Sequence, residues 1–391
     1  MTDSRAPVPL LAGSPAQGPQ RGAPPARQPR WGALGMGGQG MLFVVGLLVV
    51  SGLAALPLVD GAVERLPQRL SDQEFWKISI ESSEPDGTFR SDNLLSNEIG
   101  FPYVLAEVVR SAKTGSVYLG VGPEQNFHYI AALKPKIAFI IDIRRGNLDL
   151  HLMYKALFEL SSDRAEFVSR LFSKKRPQGL GPRSTIQEIL AAYASVPTSE
   201  MLFKDNLRDI QNELEKKHGF PLSAEDLQGI EYVYNAFYTY GPDIRYSSSQ
   251  GFYGGYNQPS YSELMISGDA SGQPRGYLSS EEAFSFLKDF ERKNLLVPVV
   301  GNFGGPRAIR AVGSYLKDHG ATVSAFYLSN VEQYLWRDGI WDEFCSNVAT
   351  LPLDETSTFI RAVRGGRYGP GFGLNLDLGA MAIEVKDCAA H

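Results

Sequence analysis

Two cysteines and five histidines are the whole supply of thiolate and imidazole ligands in 391 residues. The histidines (His128, His151, His218, His319 and His391) are scattered, no H-E-x-x-H helix is present, and Cys345 and Cys388 fall into no Cys/His ligand spacing. No metal is therefore expected, because a zinc site needs three or four such ligands in a recognisable pattern. Nor do two cysteines make a disulfide scaffold. They either pair in an exported domain or stay free in a reducing compartment. A basic excess is missing too. The net charge is −5 and Lys174-Lys175-Arg176 is the one short basic cluster, so no nucleic-acid partner is expected. A phosphate-loop lysine motif, a local Ser/His/Asp set, paired glycosidase carboxylates and internal repeats are likewise absent from the sequence.

Long apolar runs are also scarce, and one alone reaches membrane-spanning length. Residues 1–40 are rich in Pro, Gly and Ala without an apolar period, and are expected to be disordered because they bury too little surface to offset chain entropy. Met41 to Val59 then carries no charge, which predicts one membrane-spanning helix or signal anchor over 41–62. A cleaved signal peptide is the alternative, with small residues at Gly52, Ala54 and Ala62. Arg5, Arg21, Arg27 and Arg30 precede the run against a lone Asp3. That bias predicts a membrane-tethered chain with a cytoplasmic N-terminus and its main domain outside.

What remains is globular, with 43% hydrophobic and 21% charged residues over the whole chain. After a connector over 63–96, in which Ser71 and Glu74 form a capping pattern, the segment Asn97–Arg110 has helical spacing with Pro102 near its start. Short apolar runs predict strands at Ser116–Val121, Ile137–Asp142, Leu295–Val300, Thr322–Leu328 and Ser357–Val363, although Pro298 interrupts one of them. Helices between them predict an α/β fold with a Rossmann-like, mostly parallel sheet. Its halves, 97–147 and 293–385, flank a helical insertion over 148–292, and 386–391 form a tail. The insertion reads as Leu148–Leu160, Asp163–Phe172, Ser184–Ala194, Ser199–His218 and Ala224–Tyr240. It ends in a Gly/Ser/Tyr loop, Tyr246–Tyr261, suited to covering a planar substrate or simply lying on the surface.

The densest signal is Ser116-Val-Tyr-Leu-Gly-Val-Gly-Pro-Glu-Gln-Asn-Phe127. A strand runs into Gly120 and Gly122, a helix follows, and the next strand ends in Asp142. Glycines at such a turn permit both a sharp change of direction and close approach of the backbone to a ligand, and an acid there accepts hydrogen bonds from ribose hydroxyls.

On these residues the chain resembles the class I S-adenosylmethionine-dependent methyltransferase superfamily, over the two opening motifs and the strand–helix–strand near Val297–Leu335. The resemblance implies that the glycine turn cradles the methionine part of S-adenosyl-L-methionine and that Asp142 holds its ribose. Gly120, Gly122, Glu124, Asn126 and Asp142 form the implied cofactor set, with Glu124 a relocated carboxylate for the cofactor's ammonium or an acid complementing a helix dipole. The family usually has an acid two residues before its first glycine, where this chain has Tyr118, and a third glycine where it has Glu124. Gln125 replaces the last glycine of a dinucleotide fingerprint. The family's fourth strand often ends in a polar residue facing the methyl acceptor, and Asn302, in Val300-Gly-Asn-Phe-Gly-Gly-Pro306, is assigned that place. Arg144, Asn147 and Tyr253 complete the substrate-side set. Arg144 or Arg145 holds a carboxylate or phosphate, or pairs with a neighbouring acid such as Asp149. Ser329 and Asn330 read as helix caps, with Glu332 or Tyr334 reaching the pocket. The alternative to a methyltransferase is a binding or interaction module on a former enzyme fold.

Overall fold

The computed structural model describes residues 65–113, 115–247, 258–370 and 374–388. The apolar run 41–62 and Tyr253 lie outside them, and no helix among the described residues is long and apolar enough to cross a membrane. The first element is α1 (Asp72–Ser82), opened by the Ser71/Glu74 capping box. α2 (Phe101–Ser111) carries Pro102 in its first turn, where the missing N–H has no helical partner to lose. β1 (Val117–Gly120), α3 (Gln125–Leu133) and β2 (Ile137–Asp142) follow, so the motif unit is a strand, a turn, a helix and a strand.

Seven helices then separate β2 from the next strand: α4 (Arg145–Leu160), α5 (Arg164–Leu171), α6 (Ile186–Ala194), α7 (Glu200–Asn212), α8 (Ala224–Tyr240), α9 (Tyr261–Ile266) and α10 (Glu281–Arg292). The single helix expected over Ser199–His218 instead leaves α-geometry at Glu213 and continues as a π-helical turn, Glu213–Lys217. That wider turn sets Lys217 against both Glu213 and Glu159.

The second half comprises β3 (Leu296–Val300), α11 (Ala308–Asp318), β4 (Val323–Ser329), α12 (Glu332–Arg337), α13 (Trp341–Val348), β5 (Thr358–Arg364), β6 (Leu374–Ala380) and α14 (Met381–Cys388). One sheet results, in the order β3-β2-β1-β4-β5-β6, parallel except for β6. β1, β2 and β3 are buried along their whole length, as expected where helices cover both faces. Pro298 is tolerated because β3 is an edge strand, with β2 as its one neighbour. Cys345 on α13 and Cys388 on α14 are joined by a disulfide.

β1 pairs with β2 on one side and with β4 on the other. Where successive connections leave in opposite directions, the carboxyl ends of the strands part and leave a crevice. Counting the strands also moves Asn302: it follows β3 at the edge of the sheet, and the fourth strand ends at Ser329. The sequence offers two similar strand–turn–helix runs there, and only pairing shows which lies beside β1.

Candidate ligand-binding site

The crevice holds a cavity of about 260 Å3. β1 leads into Val121, Gly122 and Pro123 on its wall, β2 brings Asp142 and Arg144, the turn after β3 brings Asn302, and β4 ends in Tyr327 and Ser329. Residues from 88–97 and from 330–340 complete the lining, among them Phe89, Asn93, Ser96 and Tyr334. Tyr246 and Gln258 border it as well, and 248–257 between them fall outside the described residues.

The two motif glycines do different work. Gly122 has φ +75°, and no described residue lies within 4 Å of where its Cβ would be, so its backbone is open to the cavity. Gly120 faces inward, where a Cβ would collide with Asn126 Oδ1 and press on the Tyr118 ring. Asn126 is fully buried. Its Nδ2 donates to the carbonyls of Val121, Gly122 and Pro123 at 2.9, 3.1 and 2.7 Å, and its Oδ1 accepts from the Tyr118 hydroxyl at 2.9 Å. His151 Nε2 lies 2.9 Å from the Gly122 carbonyl oxygen. Asn126 therefore braces the turn from behind rather than facing the cavity, and Tyr118, standing where the resembled family has an acid, orients Asn126.

Asp142 lies at the mouth of β2 but already has a partner. Arg144 donates its backbone N–H and Nε–H to Oδ1 at 2.9 and 3.1 Å and its Nη2–H to Oδ2 at 3.1 Å. Of the roughly four acceptor positions of a carboxylate, about one is left for a ligand. Arg145 pairs with Asp226, so neither arginine takes Asp149 as its partner. Asp149 is instead buried against Gly229, and burial pushes its carboxyl up to about 8.

Other expected residues fall behind the wall. Glu124 occupies the N-cap position of α3 without capping it, fully buried, and accepts the Ser96 N–H at 3.2 Å on each oxygen. Burial raises its carboxyl to about 8. Asn147 sits in the first turn of α4 with its Oδ1 unpartnered, off the cavity wall. Asn302 lines the cavity but spends its Oδ1 on the Gly304 N–H at 3.0 Å, forming the turn. Ser329 and Asn330 cap nothing: Val331 is the N-cap of α12, with no side-chain bond. Tyr334 reaches the cavity, meeting Phe89 edge to face at 5.1 Å and taking the Arg90 Nη2–H on its hydroxyl at 3.0 Å. Glu332 pairs with Arg361 instead.

Three features are invisible in the sequence pattern. Glu98 is buried behind Tyr327 and Ser329, and no periodicity marks an acid in a loop as buried. The segment 88–97 becomes a wall only through its packing. Away from the cavity, Glu159, Glu213 and His218 bring ligand atoms within 4.8 Å of one another, but Lys155 and Lys217 place ammonium groups among them, so the charge is met by lysines.

No curated protein matches this chain at a significant level. A family model does match, over residues 94–225 and 254–373, from just before Glu98 to just beyond β5, and so takes in most of the cavity wall. The chain belongs to the family described as Domain of unknown function (DUF7790).

Proposed function

We propose that this chain is a membrane-tethered, Rossmann-like S-adenosyl-L-methionine-dependent methyltransferase of divergent type, with the cavity at the sheet's carboxyl edge as its cofactor site. The observation that carries this reading is Gly122, a left-handed turn residue open to the cavity at the end of β1, beside the point where the strand order reverses. Asp142 at the end of β2 supplies the acid for a ribose, through the acceptor position that Arg144 leaves. Gly122 and Pro123 form the wall for the methionine part, and Phe89, Tyr246 and Tyr334 offer aromatic surface for a planar ring. When bound, the cofactor supplies an electrophilic methyl group on a sulfonium. The chain's own part is to hold and orient: Asn126 fixes the turn, and Arg144 fixes the Asp142 carboxylate.

The test is the melting temperature of the full-length chain with S-adenosylmethionine, S-adenosylhomocysteine or NAD. A rise with the first two and none with NAD is expected. No rise with any of them, in a sample that melts cooperatively, overturns the reading. Two observations favour a second reading, a binding or interaction module on a former methyltransferase fold. The Cys345–Cys388 disulfide suits an oxidising compartment, as does the arginine bias before the apolar run, whereas S-adenosylmethionine is made and used chiefly in the cytoplasm. A C-terminal compartment reporter separates the two, since an outward signal supports the module and a cytoplasmic one the enzyme.

A further inference from the structure

Some buried carboxylates in this protein face cations and others do not, and two of the second kind lie together behind the cavity. Asp142 pairs with Arg144, Asp226 with Arg145, Glu159 with Lys155 and Glu213 with Lys217. Glu98, 2% exposed, has three neutral donors instead: the Gln125 amide at 2.9 Å and the Tyr327 hydroxyl at 2.8 Å on Oε2, and the Ser329 hydroxyl on Oε1. Glu124, its buried acidic neighbour, accepts only from backbone N–H groups. Among the described residues no arginine, lysine or histidine pairs with either acid, and phenols surround them: Tyr118, Tyr129 and Tyr327 feel Glu98, while Tyr154, Tyr261 and Tyr277 feel Glu124. Charge on a buried acid without a countercharge is costly, so burial raises the Glu98 carboxyl above its ordinary range, and two of its three donors stand on the cavity wall.

We propose that Glu98, acting through Tyr327 and Ser329, forms a recognition wall for an alkylammonium group of the cavity's ligand. Both hydroxyls spend their protons on Glu98, so the oxygen lone pairs they have left accept from a ligand's N–H. Ser329 reaches this position with φ +50°, an uncommon conformation for a residue with a side chain, of the sort that clusters where a site dictates geometry. The arginines of the lining are engaged elsewhere: Arg144 with Asp142, Arg337 with Asp338, and Arg90 with the Tyr334 hydroxyl. The ammonium belongs either to an amino-acid head such as that of S-adenosylmethionine or to a separate amine. Assigning it to the cofactor rests on the reading above, whereas the wall itself does not.

The test is affinity in the full chain for two matched pairs. S-adenosylhomocysteine and 5′-methylthioadenosine share a nucleoside thioether and differ in the amino-acid head. Phenethylamine and 2-phenylethanol share a shape and differ in the charge. Glu98→Gln is expected to weaken the ammonium-bearing member of a pair about ten-fold or more and to leave its neutral partner unchanged. Ser329→Gly, which relieves the backbone while removing the hydroxyl, is expected to act in the same direction and guards against a folding defect in the first variant. Selective loss of S-adenosylhomocysteine assigns the wall to the cofactor's head, and selective loss of phenethylamine assigns it to a separate amine. If neither nucleoside binds but phenethylamine does so in a Glu98-dependent way, the cofactor reading falls and the wall stands. If in every pair that binds both members lose affinity together, or neither does, the wall is overturned, whatever becomes of the cofactor. The wall is equally overturned if none of the four compounds binds the folded wild-type chain.

Discussion

Gly120 and Gly122 look alike in the sequence, two residues apart, yet they answer to different constraints and mutation separates them. Gly120→Ala forces a methyl group into Asn126 and Tyr118 and is expected to destabilise the fold by about 1–3 kcal/mol. Gly122→Ala meets no atom of the described residues. It costs about 1–2 kcal/mol for the left-handed backbone, and its methyl enters the cavity, so ligand affinity falls more than stability. Urea unfolding and a binding titration on both variants check this, and a larger stability loss for Gly122→Ala reverses the assignment. Asn126→Ala removes the brace, leaving the carbonyls of Val121, Gly122 and Pro123 and the Tyr118 hydroxyl without that partner, and is expected to cost about 3 kcal/mol.

Between elements, α4 packs against α8, where Gly229 admits the Asp149 carboxylate. Gly229→Ala is expected to push the two helices apart and lower the melting temperature while leaving the affinity for S-adenosylhomocysteine unchanged. At the far edge, the Cys345–Cys388 bridge closes a loop of sequence separation 43. Chain-entropy arguments put its contribution at about 4 kcal/mol, so Cys388→Ser is expected to lower the urea midpoint without changing ligand affinity, and reductant is expected to add nothing further to the variant. Elements of this kind were largely legible in advance. Ile137–Asp142 and Ala224–Tyr240 occur as the pattern predicts them, and the Ser223/Asp226 capping box is formed. β6 escaped because Leu-Asn-Leu-Asp-Leu-Gly-Ala lacks the β-branched residues that mark a strand, and its place depends on pairing with β5. The cavity was half legible. Glycine, aspartate and arginine at strand ends announce themselves by position, and Gly122, Asp142, Arg144 and Asn302 do meet there. Glu124, Asn126 and Asn147 lie just behind, because one helical turn more or less decides whether a side chain faces a crevice or the core.

For the molecule as a whole, the buried titratable groups set opposing trends in stability. Burial holds Glu124, Asp149 and Glu291 up at about 8, above their ordinary 4.5, 3.8 and 4.5. The folded chain keeps those protons while the unfolded chain gives them up, so this contribution declines from about pH 4.5 to pH 8. Burial depresses His128 to about 3 and His151 to about 4, from 6.5. Folding then excludes protons that the unfolded chain binds, and this contribution declines as pH falls below 6.5. A maximum in melting temperature between about pH 4.5 and 6.5 is expected, with a fall towards pH 8 that Glu124→Gln and Asp149→Asn each flatten. A melting temperature that climbs steadily from pH 5 to pH 8 contradicts it. The sheet order has a kinetic consequence as well. Ala138 lies beside Leu296, and Val117 beside Val323, so the strands that border the motif on either side of the sequence wait for partners made much later. Pairings of such long range are slow to form, and during synthesis the seven inserted helices are complete before β3 and β4 exist. The crevice thus cannot be assembled until synthesis has passed Ile340, and a nascent chain that carries the whole glycine motif still has nowhere to hold a ligand.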